Sequence, residues 1–269
     1  MLPQWDPQRL IERKPFNIAL VGGRKQGKST AQQDLLLRMK SEFDLVVCFV
    51  GSAACNPFLE HLLTNYWDPR FFFSEWDEHM IGKLLEQQEE LMRHGTPRRV
   101  LILVDDVILN SAADDQLAHM AMRGRHFSIS LMMCAVSYTS LPKRMRRSLD
   151  VLLVYSIPMR GDMLVLTAEY CQGNNNVARF MLNNLRDHEA LVLETLTKRQ
   201  QLYTWKADML ELRDKEIVKD CSTGSSTASP APAESQTGAP VGSQLARQSP
   251  CRQSRTSDPP GCSESEELP

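Results

Sequence analysis

Apolar residues in this chain stand in short continuous runs, separated by longer segments in which apolar and polar residues recur with helical spacing. Such runs predict strands that are buried on both faces of a parallel sheet. Five strands of this kind are predicted, one that begins at Phe16 and others at 45–50, 99–104, 129–136 and 151–157. Helices are predicted at 30–42, 78–94, 114–126 and 177–187, and the residues after Arg160 favour another. We therefore expect an α/β fold with a mostly parallel sheet flanked by helices.

The pattern also divides the chain into three parts. Residues 1–15 carry prolines and charges and are expected to be an irregular lead-in that covers one edge of the sheet. Residues 16–215 form the predicted globular domain, which ends in a β-hairpin formed by 189–194 and 201–206. Residues 216–269 are rich in Ser, Pro, Thr and Gly, and we expect this tail to be disordered because it offers too little apolar surface to bury.

The segment 51–78 is harder to assign because aromatic residues crowd between two prolines. Its aromatic residues are Tyr66, Trp67, Phe71, Phe72, Phe73 and Trp76. Together with Arg70 they could stack on nucleic-acid bases, or they could form local core beneath a long crossover connection. The second interpretation is favoured.

Composition excludes several classes of protein. The chain has 269 residues, 42% of them hydrophobic and 24% charged, with a formal net charge of −2. No overall basic field advertises a nucleic-acid partner, so DNA contacts would need a local patch or an oligomer. Its seven cysteines show no zinc-ligand spacing. We find no secretory leader and no run of about 18 apolar residues, and so predict a soluble, intracellular protein without a membrane association.

A complete P-loop pattern follows the first strand. Gly22 opens the motif, Gly23, Arg24, Lys25 and Gln26 follow, and Gly27, Lys28, Ser29 and Thr30 complete it at the start of the next helix. Backbone N–H groups can wrap phosphates only where glycines allow a close approach, and the helix N-terminus favours the same negative charge. Lys28 is expected to reach the β- and γ-phosphates and Ser29 to bind Mg²⁺. The predicted ligands are ATP and Mg²⁺.

A pair of acids ends the third strand. An apolar strand that delivers a carboxylate to its C-terminal end supplies the second half of a P-loop site, because Mg²⁺ needs oxygen ligands opposite the P-loop hydroxyl. We assign Asp105 to the Mg²⁺ side and Asp106 to orienting or deprotonating the attacking water. An acidic pair alone is weak evidence, but it becomes strong downstream of a full P-loop.

A further stretch, RGRHFSISLMMCAVSYTSLPKRMRRSLDVLLV at 123–154, resembles the matching region of the DNA-packaging ATPases of poxviruses, other nucleocytoplasmic large DNA viruses and Polinton-type elements, within the FtsK/HerA superfamily. The matching residues are Arg123, Gly124, Arg125 and His126 before the fourth strand, and Leu141, Pro142 and Arg146 or Arg147 after it. The likeness covers residues 14 to about 206. It implies a P-loop NTPase sheet in which an extra strand separates the two motif strands.

The resemblance also implies a function. We expect an ATPase that translocates double-stranded DNA as a homo-oligomeric ring, with capsid proteins as further partners and the virion or viral assembly site as its location. An arginine acting in trans on a neighbour's γ-phosphate is expected at Arg123 or Arg125 rather than at Arg146 or Arg147. The alternative is that Arg123 and Arg125 pair with Asp114 and Asp115 on their own helix. The basic cluster at 143–147 is equally compatible with a solvated helix and with a phosphate or intersubunit role.

One departure from the family pattern bears on catalysis. The family usually has a glutamine at the end of the fourth strand to sense the γ-phosphate, whereas this chain has Val136 and Ser137. Ser137 could supply a hydroxyl instead. Two other functions therefore stay open, a nucleotide-binding interaction protein that has lost hydrolysis and, less favoured, a small-molecule kinase.

Overall fold

The structure is a computed structural model that describes residues 2–52, 57–157, 159–170, 183–195 and 201–207. These residues belong to one compact unit, Met1–Thr223. They form a sheet of eight strands with helices packed on both faces. The tail expected at 216–269 and most of the helix expected at 177–187 lie outside the described residues and stay predictions.

The elements are numbered in chain order. The strands are β1 Asn17–Val21, β2 Leu45–Val50, β3 Phe72–Phe73, β4 Val100–Asp105, β5 Ile129–Ala135, β6 Val151–Val154, β7 Glu189–Glu194 and β8 Gln201–Lys206. The α-helices are α1 Gln8–Ile11, α2 Lys28–Arg38, α3 Pro57–Tyr66, α4 Glu78–Arg93, α5 Ser111–Arg123, α6 Lys143–Arg146 and α7 Arg160–Tyr170. Short 3-10 helices span Pro69–Phe71 and Gly124–Phe127.

The strand order in the sheet is β3-β2-β4-β5-β1-β6-β7-β8. The strands from β3 to β6 in this order are parallel, and β7 and β8 add an antiparallel hairpin. As expected, β5 separates β1 from β4 and pairs with both. Parallel strands end at one edge of a sheet, so the C-terminal ends of β1, β4 and β5 lie together, where open α/β sheets bind ligands.

Two apolar clusters fill the spaces on either side of the sheet. Every residue of β1 and β2 is buried, as the apolar runs from Ile18 and Leu45 predict. Successive residues point to opposite faces, so Leu20 joins Leu35 of α2 in one cluster, while Val21 joins Leu117 of α5 in the other. This packing on both faces fixes the position of the edge from which the glycine-rich loop emerges.

The helix boundaries near the loop differ from the prediction. Helix α2 begins at Lys28 rather than at residue 30, directly after Gly27, whose backbone is left-handed at φ 98°. It ends at Arg38 rather than at residue 42 because Met39 leaves the helical region. Strands β5 and β6 also end earlier than predicted, at Ala135 and Val154.

The segment 51–78 contains a helix that the sequence pattern did not predict. Helix α3 begins at a proline, which the first turn of a helix tolerates because its missing N–H would have no partner there. The aromatic residues that follow contribute to packing. The ring centroid of Phe49 lies 5.4 Å from that of Phe73 and 4.6 Å from that of Trp76. The interpretation as local core is thus supported for these rings.

The lead-in covers the β8 edge of the sheet, as predicted, and adds helix α1. The backbone N–H of Trp5 donates to the Thr204 carbonyl at 2.9 Å, and Thr204 donates back to Pro3 at 3.0 Å. The buried Trp5 ring meets Trp205 edge-on with centroids 5.6 Å apart. Its indole Nε1 donates to the completely buried Glu194 at 3.1 Å. The lead-in therefore packs as an integral part of the domain.

Candidate nucleotide-binding site

The loop between β1 and α2 is tied to the ends of two neighbouring strands. The Gly22 N–H donates to the Ala135 carbonyl at 3.2 Å, and the Gly23 N–H donates to the Ser156 carbonyl at 3.3 Å. A Cβ atom on Gly22 would stand 2.5 Å from the Cβ of Tyr155, so a side chain cannot be accommodated there. Close approach to the neighbouring backbone, together with the left-handed Gly27, accounts for the glycines of the motif.

The lysine of the motif lies inside this loop. Its Nζ donates to the carbonyls of Gly22 and Gly23 at 2.6 and 2.7 Å. Burial lowers the pKa of Lys28, and the nearby Cys134 and the acids Asp105 and Asp106 act in the opposite direction. The lysine charge is thus held at the mouth of the loop and faces the acid pair.

The acids stand at the end of β4, beside the loop. Asp106 adopts a left-handed backbone at φ 53°, which costs energy for a residue other than glycine and is typical of functional sites. A Cβ on Gly51 would lie 2.0 Å from the Asp106 carbonyl oxygen, so glycine at the end of β2 makes room for this turn. Burial and the Asp106 charge raise the pKa of Asp105, against the opposing effects of Lys28 and the Gln32 amide.

These groups share one cleft of about 480 Å³ at the C-terminal edge of the sheet. Its lining brings Lys28 and Ser29 of the loop together with Asp105 and Asp106 of the acid pair. The remaining polar lining residues include Arg24, Lys25, Ser52, Asp114 and Ser140. The described residues hold no cluster of three or more His, Cys, Asp or Glu side chains fit for a metal. One hydroxyl and one or two carboxylates nevertheless suit Mg²⁺, which takes much of its coordination from substrate phosphates and water.

A second cavity, of about 430 Å³, opens where the loop joins α2. Gln26, Gly27 and Thr30 line it together with His188 and Lys206 of the terminal hairpin. Sequence reasoning placed the hairpin strands correctly but did not connect residues 188 and 206 with the P-loop. The link could have been inferred from the antiparallel pairing of the hairpin, which puts the start of β7 and the end of β8 at the P-loop edge of the sheet.

Ser137, predicted to replace the family's sensor glutamine, lies outside both cavities. Its Oγ donates to Asp162 of α7 at 2.8 Å, and Asp162 also accepts the backbone N–H groups of Thr139 at 3.0 Å and Tyr138 at 3.2 Å. Although burial opposes ionisation of Asp162, hydrogen bonds from Thr139, Ser137 and Tyr138 hold its pKa below the usual value. Ser140 lines the main cleft instead. The sensor role of Ser137 stays a prediction.

The predicted finger arginines lie near the start of β5, at the sheet edge opposite the P-loop. The Nη2 of Arg125 donates to Asp150 at 2.6 Å, which is not the helix-surface pairing considered from the sequence. Asp115 instead faces Arg144 at 3.6 Å. Arg123 is exposed. Neither Arg123 nor Arg125 lines the main cleft of its own chain, so a role at that cleft requires a second copy.

The basic cluster after Pro142 divides into two kinds of residue. The Arg146 side chain is only 10% exposed, lies over the Tyr138 ring at 5.0 Å and faces Glu169 at 3.7 Å. Lys143, Arg144 and Arg147 are exposed. The interior position of Arg146 gives it a packing role between α6 and α7. Across the described ranges, no helix combines the length and apolar character needed to cross a membrane.

Comparison with known proteins agrees with these motifs. The protein family described as Poxvirus A32 protein matches residues 4–196. Uncharacterized protein 075L of Invertebrate iridescent virus 6 is 23% identical over 230 residues, which cover 77% of this chain and 86% of that protein.

Two solved structures show the same fold. One is B204, the DNA-packaging ATPase from Sulfolobus Turreted Icosahedral Virus, with a TM-score of 0.52 and 9% identity over 70% of this chain and 97% of that chain. The other is the pCW3 conjugation coupling protein TcpA in its monomer form with ATPγS, with a TM-score of 0.57 and 12% identity over 82% of this chain and 72% of that one. At such identities the likeness establishes the fold, that of the P-loop ATPases.

Proposed function

Because the chain belongs to the poxvirus A32 protein family, we propose that it is an ATPase motor that translocates double-stranded DNA into a viral capsid. The observation that carries the proposal is the convergence of Lys28, Ser29, Asp105 and Asp106 on one cleft. The likeness of the fold to B204 supports it. Capsid proteins are the further partners proposed, at the virion or the viral assembly site.

Each polar side chain of the cleft has its own role in the proposed reaction. Backbone N–H groups of residues 22–30 bind the phosphates of ATP, and the Lys28 ammonium neutralises charge on the β- and γ-phosphates. Ser29 and Asp105 would hold Mg²⁺, which would supply positive charge against the transferred phosphoryl group. Asp106 accepts a hydrogen bond from the attacking water and orients it towards the γ-phosphate. Asp106 has a left-handed backbone and lines the same cleft as Lys28 and Ser29, which supports this role.

The experiment measures ATP hydrolysis by the full chain with and without double-stranded DNA. Lys28→Ala should lower turnover by at least about a hundredfold, since the loop would lose its point charge beside the phosphates. Lys83→Ala, on the exposed face of α4, is the matched control and should keep the parental rate. Parental turnover in Lys28→Ala would show that the site is assigned wrongly.

The two acids should give different phenotypes. Asp105→Ala should lose Mg²⁺-dependent ATP binding, because a direct ligand is removed. Asp106→Asn should still bind ATP but turn over about 10² to 10⁴ times more slowly, the usual contribution of a general base. Identical phenotypes for the two variants would contradict the division of roles.

We propose Arg123 as the residue that completes a neighbour's cleft, since it is exposed and Arg125 is engaged by Asp150. An arginine in this role typically contributes about 10³ or more in turnover. Mixing inactive Lys28→Ala with inactive Arg123→Ala should restore ATPase, because a subunit with an intact P-loop can receive an intact arginine. If assembled mixtures recover no ATPase activity, Arg123 does not complete a neighbour's cleft. This argument for a ring then also fails.

One observation favours a second candidate, an interaction protein that binds ATP without hydrolysing it. The hydroxyl expected to sense the γ-phosphate, that of Ser137, is held by Asp162 away from the cleft. This candidate predicts tight ATP binding, no turnover in the presence of DNA, and no difference in turnover between the parent and Asp106→Asn. The hydrolysis assay above separates the two functions.

A further inference from the structure

The cavity of about 430 Å³ on the α2 side of the P-loop extends from the phosphate-binding loop to the terminal hairpin, whose residues have no role in the phosphate chemistry described above. It shares the lining residues Lys28 and Ser29 with the main cleft, so both cavities border the same loop. Of these two cavities, the acids line only the main cleft, and Thr30 and His188 line only the second. The loop therefore has an acidic side and a side that carries an imidazole.

A bound triphosphate would be oriented by this asymmetry. The γ-phosphate belongs beside Lys28 and the Mg²⁺ ligands, because those groups act on the β- and γ-phosphates. The α-phosphate then lies towards the other end of the loop, where Thr30 opens on the second cavity. The nucleoside, attached to the α-phosphate, extends in that direction.

His188 is fixed at this exit by the hairpin. It directly precedes β7 and, with a left-handed backbone at φ 62°, is a central residue of the turn closed by the Glu189 N–H donating to the Arg186 carbonyl at 3.0 Å. A Cβ on Gly27 would stand 3.3 Å from the His188 Cβ and 3.4 Å from its Nδ1, so the ring rests directly against the last loop glycine. An unfavourable backbone held by surrounding structure is characteristic of ligand contacts.

We propose that His188, with Lys206 beside it, forms the nucleoside subsite of this P-loop. The imidazole stacks on the base of the nucleoside triphosphate, and the Lys206 ammonium contributes positive charge near the junction of sugar and α-phosphate. The inference rests on the proposed function, since it assumes that the loop binds a nucleoside triphosphate. It goes further by assigning base recognition to the terminal hairpin, outside the P-loop and acid motifs.

The test compares two probes, ATP and inorganic tripolyphosphate, each titrated with Mg²⁺ into the full chain by calorimetry. His188→Asn removes the ring while keeping a residue that tolerates the left-handed backbone, and His188→Gly removes the side chain with that strain relaxed. His94→Ala, an exposed histidine at the C-terminal end of α4, is the matched control. Lys28→Ala reports on the phosphate site itself.

We expect both His188 variants to bind ATP about tenfold more weakly, the low end of what base stacking on a ring contributes, with tripolyphosphate affinity unchanged. Lys28→Ala should weaken both probes, and His94→Ala neither. Equal loss of both probes in the His188 variants, or no loss of ATP, would overturn the subsite while the P-loop assignment stands. A parent chain that binds neither probe would overturn the proposed function and the subsite together.

Discussion

The ion pair between Arg125 and Asp150 offers a sharp test of the buried electrostatics. The Asp150 side chain is 9% exposed. One of its oxygens accepts a hydrogen bond from the Arg125 guanidinium at 2.6 Å, and the other accepts one from the Asn17 backbone N–H at 2.8 Å. Burial raises the pKa of Asp150, while the Asn17 N–H and Arg125 favour its ionised form. Arg125→Ala therefore leaves a buried carboxylate with one charged partner fewer.

The expected loss is moderate because solvent screens the arginine, whose side chain is 49% exposed. A hydrogen bond to a charged group is worth about 1.5–3 kcal/mol, and screening reduces the expected cost of Arg125→Ala to about 1–2 kcal/mol near neutral pH. For a domain of this size that lowers Tm by about 2–8 °C. The cost should shrink at acidic pH, because a carboxyl with a raised folded-state pKa destabilises the fold only as it ionises with rising pH.

Urea unfolding at about pH 7.5 and about pH 5 measures both effects. Arg123→Ala, the exposed neighbour, is the control and should stay within about 0.5 kcal/mol of the parent. In the double variant Arg125→Ala, Asp150→Asn, the penalty for Arg125→Ala should be smaller than in the parental background, since no unpaired charge is created. Parental stability of Arg125→Ala near neutral pH, or a loss that grows towards acidic pH, would refute this reasoning.

Three further changes test other contacts. Trp5→Ala should cost about 3–5 kcal/mol in urea unfolding, because it leaves a cavity and removes a donor from the buried Glu194. Gln32→Met should keep or raise stability in urea unfolding, because within the described part of the chain neither polar atom of the buried Gln32 amide has a hydrogen-bond partner. Asp162→Ala should lower stability by about 2 kcal/mol in thermal unfolding, as it removes the acceptor of four donors in the loop after β5.

Local patterns predicted the parts of this fold whose causes are local. A P-loop needs glycines, a lysine and a hydroxyl within a few residues, so its position and the start of α2 could be predicted within two residues. The buried strands could be predicted as well, because a run of apolar residues is also a local pattern. Helix α3 was not predicted because its initial proline indicates a break when only the sequence is considered, although Leu59, Leu62 and Leu63 recur with helical spacing. The left-handed turn at Asp106 needs the space left by Gly51, which directly follows a different strand, β2.

Contacts between distant residues could not be predicted in this way, and they change how the arginines are interpreted. The alternative considered from the sequence paired Arg125 with acids of its own helix, whereas strand pairing brings Asp150, directly before β6, to it. Sequence periodicity does not reveal that a carboxylate at a strand end is buried, because a hydrophilic residue at that position is also typical of an exposed turn. Loss of ATPase in Arg125→Ala is therefore ambiguous, because a weakened fold and a missing finger both lower turnover. Arg123→Ala avoids this ambiguity, since an exposed arginine can be removed with little effect on stability.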